Sequence, residues 1–134
     1  MSRNHFVSCY AYDRERKRLL VRRMSEGKSA GLLNVFGRAK KADETSRQAT
    51  SILFKEQTGI DTDVADWWYF GTVDAEKWVM VLYKTEIDLP EPREPLEIVD
   101  LKTISSAEMA PYVQMLALAG QQENVKSVTL CGVK

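Results

Sequence analysis

From Ser46 to Thr58 the chain runs without glycine or proline and then meets Gly59, the residue type that takes the left-handed C-terminal cap of a helix. β-Forming segments lie on both sides of this stretch, so the chain is restricted to a sheet that packs a helix against one face. Asp43, Thr45 or Ser46 is placed to cap the helix start, and Glu44 suits the positive end of its dipole.

Before the helix, HFVSCYAYD (residues 5–13) alternates apolar with small or polar groups, the pattern of a strand with one buried face. The charged link RERK turns the chain into RLLVRRMS (18–25), and so short a link favours a hairpin. EGKSAG then forms a loop, and LLNVFG a short strand stopped at Gly37. After the helix, DWWYFGTVD and WVMVLYKTEI, separated by Ala75, Glu76 and Lys77, make an antiparallel pair rich in aromatic and β-branched residues.

DLPEPREP (88–95) is a proline-rich loop, and LEIVDL a short strand. SSAEMAPYVQMLALAG is a second helical region, with Pro111 in its first turn, Gly120 as its stop and Met115, Leu116 and Leu118 as an apolar stripe. VKSVTLCGV adds an edge strand. The order of strands, helix, strands, helix predicts an α/β fold: a mixed β-sheet with two main helices packed on its faces.

With 134 residues, 44% of them hydrophobic, the chain suits one domain over residues 1–134. Its apolar runs are too short to span a bilayer, and the start MSRNHFVSCYAYD lacks a signal-peptide layout, so a soluble cytoplasmic protein is expected. Nineteen basic and nineteen acidic residues cancel. Without a global field, neither a nucleic acid polymer nor a membrane is an expected partner, and any anion site must be local. Cys9 and Cys131 make neither a disulfide framework nor a zinc spacing and read as buried free thiols. The single histidine, His5, opens a strand and reads as structural.

The segment Gly37 to Ile60, GRAKKADETSRQATSILFKEQTGI, resembles the Nudix box, G-x5-E-x7-R-E-U-x-E-E-x-G-U with U a bulky apolar residue. Gly59 and Ile60 match its end, Glu56 the first of the paired acids, Phe54 the apolar position and Glu44 the upstream acid. Four positions depart: Arg38 stands at the first glycine, just after Gly37; Ile52 and Leu53 replace R-E; Gln57 replaces the second paired acid. The surrounding order of elements is also that of the Nudix hydrolase superfamily, which implies an α/β/α sandwich over nearly the whole chain.

In that family the helix carboxylates at the positions of Leu53, Glu56 and Gln57 hold Mg²⁺ or Mn²⁺ against a substrate diphosphate, where the metal acidifies a water and screens phosphate charge. The resemblance therefore makes Glu56 and Glu44 the catalytic candidates, and Glu56 with the Gln57 carbonyl oxygen a weak metal site. Glu44 loses the arginine that the family pairs with it, because Ile52 has no donor; it either turns to the metal or faces water. A further acid is Glu94 or Glu97, or both are solvated charges. Arg22 or Arg23, Arg38, Lys40 and Lys41 either meet substrate phosphates or form a solvated charged turn. Among these, Arg23, Arg38 and Lys40 are the main phosphate candidates. Trp67, Trp68 and Tyr69 either stack a base or fill the core.

Ile52 and Leu53 occupy the helix positions where active members expose acids. Burial of each is worth roughly 1.5 to 3 kcal/mol, so a cover is expected: the loop DLPEPREP, a second copy in a homodimer, or another partner. In the alternative, a rolled helix takes both into the core and exposes Phe54. Two functions follow from the resemblance. One is metal-dependent hydrolysis of a nucleoside diphosphate linked to another moiety, weakened by the lost carboxylates. The other is a catalytically inactive Nudix-fold module that binds a nucleotide-like ligand, or a protein partner through the altered helix face. A structural subunit unrelated to nucleotides uses less of the sequence.

Overall fold

The computed structural model describes residues 4–28, 30–122 and 127–133. Strand β1 (Asn4–Tyr12) lies at the middle of an eight-stranded mixed sheet. It pairs in parallel with β6 (Trp78–Glu86) on one side. On the other side it changes partner: residues 6–9 pair with β4 (Phe36–Ala39), and Ala11 and Tyr12 pair with β2 (Arg18–Arg23). Next to β2 run β3 (Leu33–Asn34) and β7 (Leu96–Asp100), both antiparallel to it. Beyond β6 come β5 (Trp68–Ala75), antiparallel, and β8 (Val128–Val133), parallel to β5.

The expected hairpin of β1 and β2 and the expected antiparallel pair of β5 and β6 both form, and the final segment does form a strand; its expected first residues Val125 and Lys126 lie outside the described residues. LLNVFG divides into β3 and β4 because its two halves serve different neighbours.

The sheet is covered on both faces. Helix α1 (Ser46–Thr58) begins at Thr45, whose side chain accepts from Gln48 N while Gln48 Oε1 accepts from Thr45 N, and ends at Gly59 with φ 80°. Val7, Cys9 and Ala11 of β1 face α1, in a core with Leu20, Phe36, Leu53, Phe54 and Trp67. The alternate residues Tyr10 and Tyr12 face α2 (Pro111–Gln121), in a second core with Phe70, Leu82, Val113, Leu116 and Ala117. This is the expected α/β/α sandwich. No helix among the described residues is long and apolar enough to cross a membrane.

Four expectations are corrected by packing. Leu53 is fully buried against the sheet, while its neighbour Ile52 is 45% exposed. The inward stripe of α1 is Ala49, Thr50, Leu53 and Phe54, and both Leu53 and Phe54 fit because one face of a helix spans adjacent as well as i, i+4 positions. Leu53 is thus covered by the chain itself, in a core against which Leu89 of the 88–95 loop packs. On α2, Met115 and Leu118 are exposed, and Gly120 does not stop the helix. An added Cβ there would collide with the hydroxyl of the buried Tyr12, which donates to Ala117 O at 2.6 Å. The end of α2 is held instead by Lys84, whose Nζ donates to the carbonyls of Gly120 and Gln122 at 2.8 and 3.2 Å. Finally, Cys9 is buried but Cys131 is exposed.

Leu53→Ala is therefore expected to destabilise the protein by about 2 to 5 kcal/mol, and Ile52→Ala by less than about 0.5 kcal/mol. Urea denaturation of the two variants checks this; equal midpoints would place Leu53 outside the core.

Candidate functional site

Strand β4 runs into the loop 40–44, which returns to the start of α1, and this path brings Arg38 beside two acids of the helix region. Arg38 pairs with β1 at Val7, so its side chain leaves the sheet on the α1 side, with Phe36. Its Nη1 and Nη2 donate to the two carboxylate oxygens of Glu44 at 2.6 and 3.1 Å. Its Nε faces Glu56 Oε1 at 3.5 Å, at the outer limit of a hydrogen bond. A guanidinium thus stands between the two acids that the sequence marks as catalytic candidates. Glu44 has not lost its arginine; the partner comes from β4 rather than from the helix position of Ile52.

Glu44 is the better held of the two acids. Its side chain is 8% exposed, against 56% for Glu56, and Lys41 N also donates to it at 2.8 Å. The Arg38 fork first, and the Lys41 amide second, lower its pKa from 4.5 to about 2. Lys40 supports the same turn, its Nζ donating to the carbonyls of Lys41 and Glu44 at 3.1 and 2.9 Å.

Gln57 lies inside the helix contact rather than at its rim. Successive helix residues turn by about 100°, so Gln57 falls at the middle of the stripe made by Ala49, Thr50, Leu53 and Phe54. Its Nε2 donates to Gly37 O at 3.1 Å, and its Oε1 is buried without a partner among the described residues. Arg23 and Glu97 are also brought together, but with each other: Nε and Nη2 of Arg23 donate to the Glu97 carboxylate at 2.9 and 3.1 Å. Arg23 Nη1 donates further to Gly31 O at 2.9 Å and to Glu108 at 3.3 Å.

Arg22 differs from Arg23. The Nε of Arg22 is buried and has no hydrogen-bond partner among the described residues, an arrangement that costs free energy unless a ligand or water answers it. A cavity of about 260 Å³ lies where β1 exchanges β4 for β2; Arg22, Arg38, Ser8 and Asn34 line it, with Phe6, Met80 and Tyr112 among its apolar members. Apolar walls with few polar groups are the usual make-up of a small-molecule site. The sequence marked Arg22 and Arg23 together as phosphate candidates and preferred Arg23; strand alternation separates the two, Arg22 lining the cavity and Arg23 pairing with Glu97. Trp67 is core, donating from Nε1 to Thr62 Oγ1 at 2.8 Å, whereas Trp68 and Tyr69 are exposed.

These residues do not fit a divalent metal. Among the described residues no three Asp, Glu, His or Cys side chains converge on a common point. Leu53 is sealed in the core, Gln57 offers one neutral oxygen, and the space between Glu44 and Glu56 is taken by a guanidinium.

The sequence matches no family model and no curated protein. Solved structures resemble the fold closely. A Nudix hydrolase from Nitrosomonas europaea superposes with a TM-score of 0.79 at 10% identity, over 100% of this chain and 81% of that one. A MutT protein from Bacillus halodurans gives 0.73 at 13% identity, over 96% and 89%. The Nudix domain of Shewanella oneidensis NrtR, solved with ADP ribose, gives 0.71 at 15% identity, over 88% and 86%. The chain has the Nudix fold.

The Arg38–Glu44 pair sets a pH dependence. The carboxyl of Glu44 titrates lower in the folded chain, about 2, than its ordinary 4.5. Its contribution to stability is thus complete above about 4.5 and lost as pH falls through about 2. Glu44→Gln is expected to be less stable at neutral pH and to show a shallower fall in stability between pH 4.5 and pH 2. Thermal melts across that window test this; parallel wild-type and variant curves would remove Glu44 as the source.

Proposed function

We propose that the chain is a Nudix superfamily member that acts as a binding module for a nucleotide-like phosphate ligand, with little or no metal-dependent hydrolysis. The observation that carries this reading is the guanidinium of Arg38 set between Glu44 and Glu56. With Leu53 in the core as well, three of the expected metal-binding positions supply one exposed carboxylate. One such group makes a poor cage for Mg²⁺ or Mn²⁺ and leaves the attacking water without strong activation.

Binding is supported separately. The cavity lined by Arg22 and Arg38 combines guanidinium side chains with apolar and aromatic walls, which suits a ligand carrying a phosphate at one end and a flat or apolar group at the other. The Nudix domain of NrtR, which shares the fold, was solved with ADP ribose; by that analogy a nucleoside diphosphate linked to a sugar is the first ligand class to try.

A screen of nucleoside di- and triphosphates, ADP-ribose and dinucleoside polyphosphates, with Mg²⁺ and with Mn²⁺, is expected to give a thermal shift without product. Arg22→Met is expected to weaken the binding about ten- to a hundredfold, the loss of a hydrogen bond to a charged group. Turnover at ordinary enzyme rates of about 1 s⁻¹ or more would defeat the reading, as would the absence of any ligand that shifts the melt.

A further inference from the structure

The Arg38 cluster also bears on how a phosphate would be held. Glu44 grips Arg38 through both carboxylate oxygens and is itself almost covered, whereas Glu56 meets the same guanidinium only at 3.5 Å and is more than half exposed. The two contacts differ in how easily they give way. A bidentate, shielded pair resists exchange, while a long contact to an exposed carboxylate contributes little and is readily screened by solvent.

Arg38 and Arg22 have a further property in common. Both line the cavity, and the Nε of each is buried without a hydrogen-bond partner among the described residues. Two guanidinium side chains therefore border one cavity, and the Nε of Arg38 has only the long contact to Glu56. Of the two acids that meet Arg38, Glu44 is already committed.

We propose that this chain recognises the phosphates of its ligand without a divalent ion, Arg38 serving as a built-in cation that gives up Glu56 for a phosphate oxygen while Glu44 keeps it in place. The proposal rests on the binding-module reading and deepens it. Arg22 lines the same cavity and brings a second positive charge to it. An added Mg²⁺ would have to expel a guanidinium from a shielded carboxylate or lie beside it against direct repulsion. No group is transferred in this step; one set of hydrogen bonds replaces another.

Two measurements test this. Calorimetric titration with ADP-ribose as the probe, in EDTA and again in millimolar Mg²⁺, is expected to give affinities equal within about threefold. In EDTA, Arg38→Met is expected to weaken binding about ten- to a hundredfold. Arg38→Lys, which keeps the charge and loses the fork, is expected to fall between Arg38→Met and wild type. Binding seen only with the metal, or an unchanged affinity in Arg38→Met, overturns the proposal and leaves the binding module standing.

If ADP-ribose and the screened nucleotides all fail to bind wild type in both buffers, the binding module falls and the proposal with it. Electron paramagnetic resonance of Mn²⁺ reads the ion directly, without a ligand. Wild type is expected to leave millimolar Mn²⁺ free, and Arg38→Met to retain more of it through the released Glu44 and Glu56. Wild type that sequesters Mn²⁺ overturns the proposal even if the arginine variants fail to fold.

Discussion

The ion pair between Arg38 and Glu44 is the contact on which the candidate site depends. It joins β4 to the turn that starts α1, and it fixes where two acids of that region can be. Because both partners are largely covered, removing either would leave the other as a shielded and uncompensated charge. The pair therefore acts as a structural fastener and as the local source of positive charge at once. Around it, Lys40 and the Lys41 amide close the turn, and Gln57 ties the far end of the helix to Gly37.

The fold presents this site through a feature of β1. That strand changes neighbour from β4 to β2 partway along, and the division between them is lined by side chains from both sides. The same division separates Arg22 from Arg23. One lines a cavity and has no hydrogen-bond partner for its Nε among the described residues, and the other is saturated by Glu97, Gly31 and Glu108. Two adjacent arginines with the same intrinsic chemistry thus come to opposite roles by strand geometry alone.

Much of the architecture was legible in the residues. The helix from Ser46 to Thr58 was bounded by the absence of glycine and proline and by Gly59, and Thr45 with Gln48 carries a capping-box spacing. The alternation in β1 read as a strand with one buried face, whereas residues 7–12 are all buried because a helix lies on each side of the sheet. The site was less legible. Leu53 could be set on the exposed or the buried side because the helix is apolar around a wide arc, and only the sheet decides which part faces in. Arg38 could not be matched to Glu44 from spacing, since the match needs the pairing of β4 with β1 to aim the side chain. Gly120 looked like a helix stop, but the end is made by Lys84 from strand β6, and the glycine is required by the bulk of Tyr12.

The position of Gln57 bears on how such a chain could change. A carboxylate there would set its oxygens against the carbonyl of Gly37, an acid at Leu53 would carry charge into hydrocarbon, and a neutral residue at Arg38 would strand Glu44. Each step towards a metal enzyme is uphill on its own, so the arrangement is a local trap in sequence space.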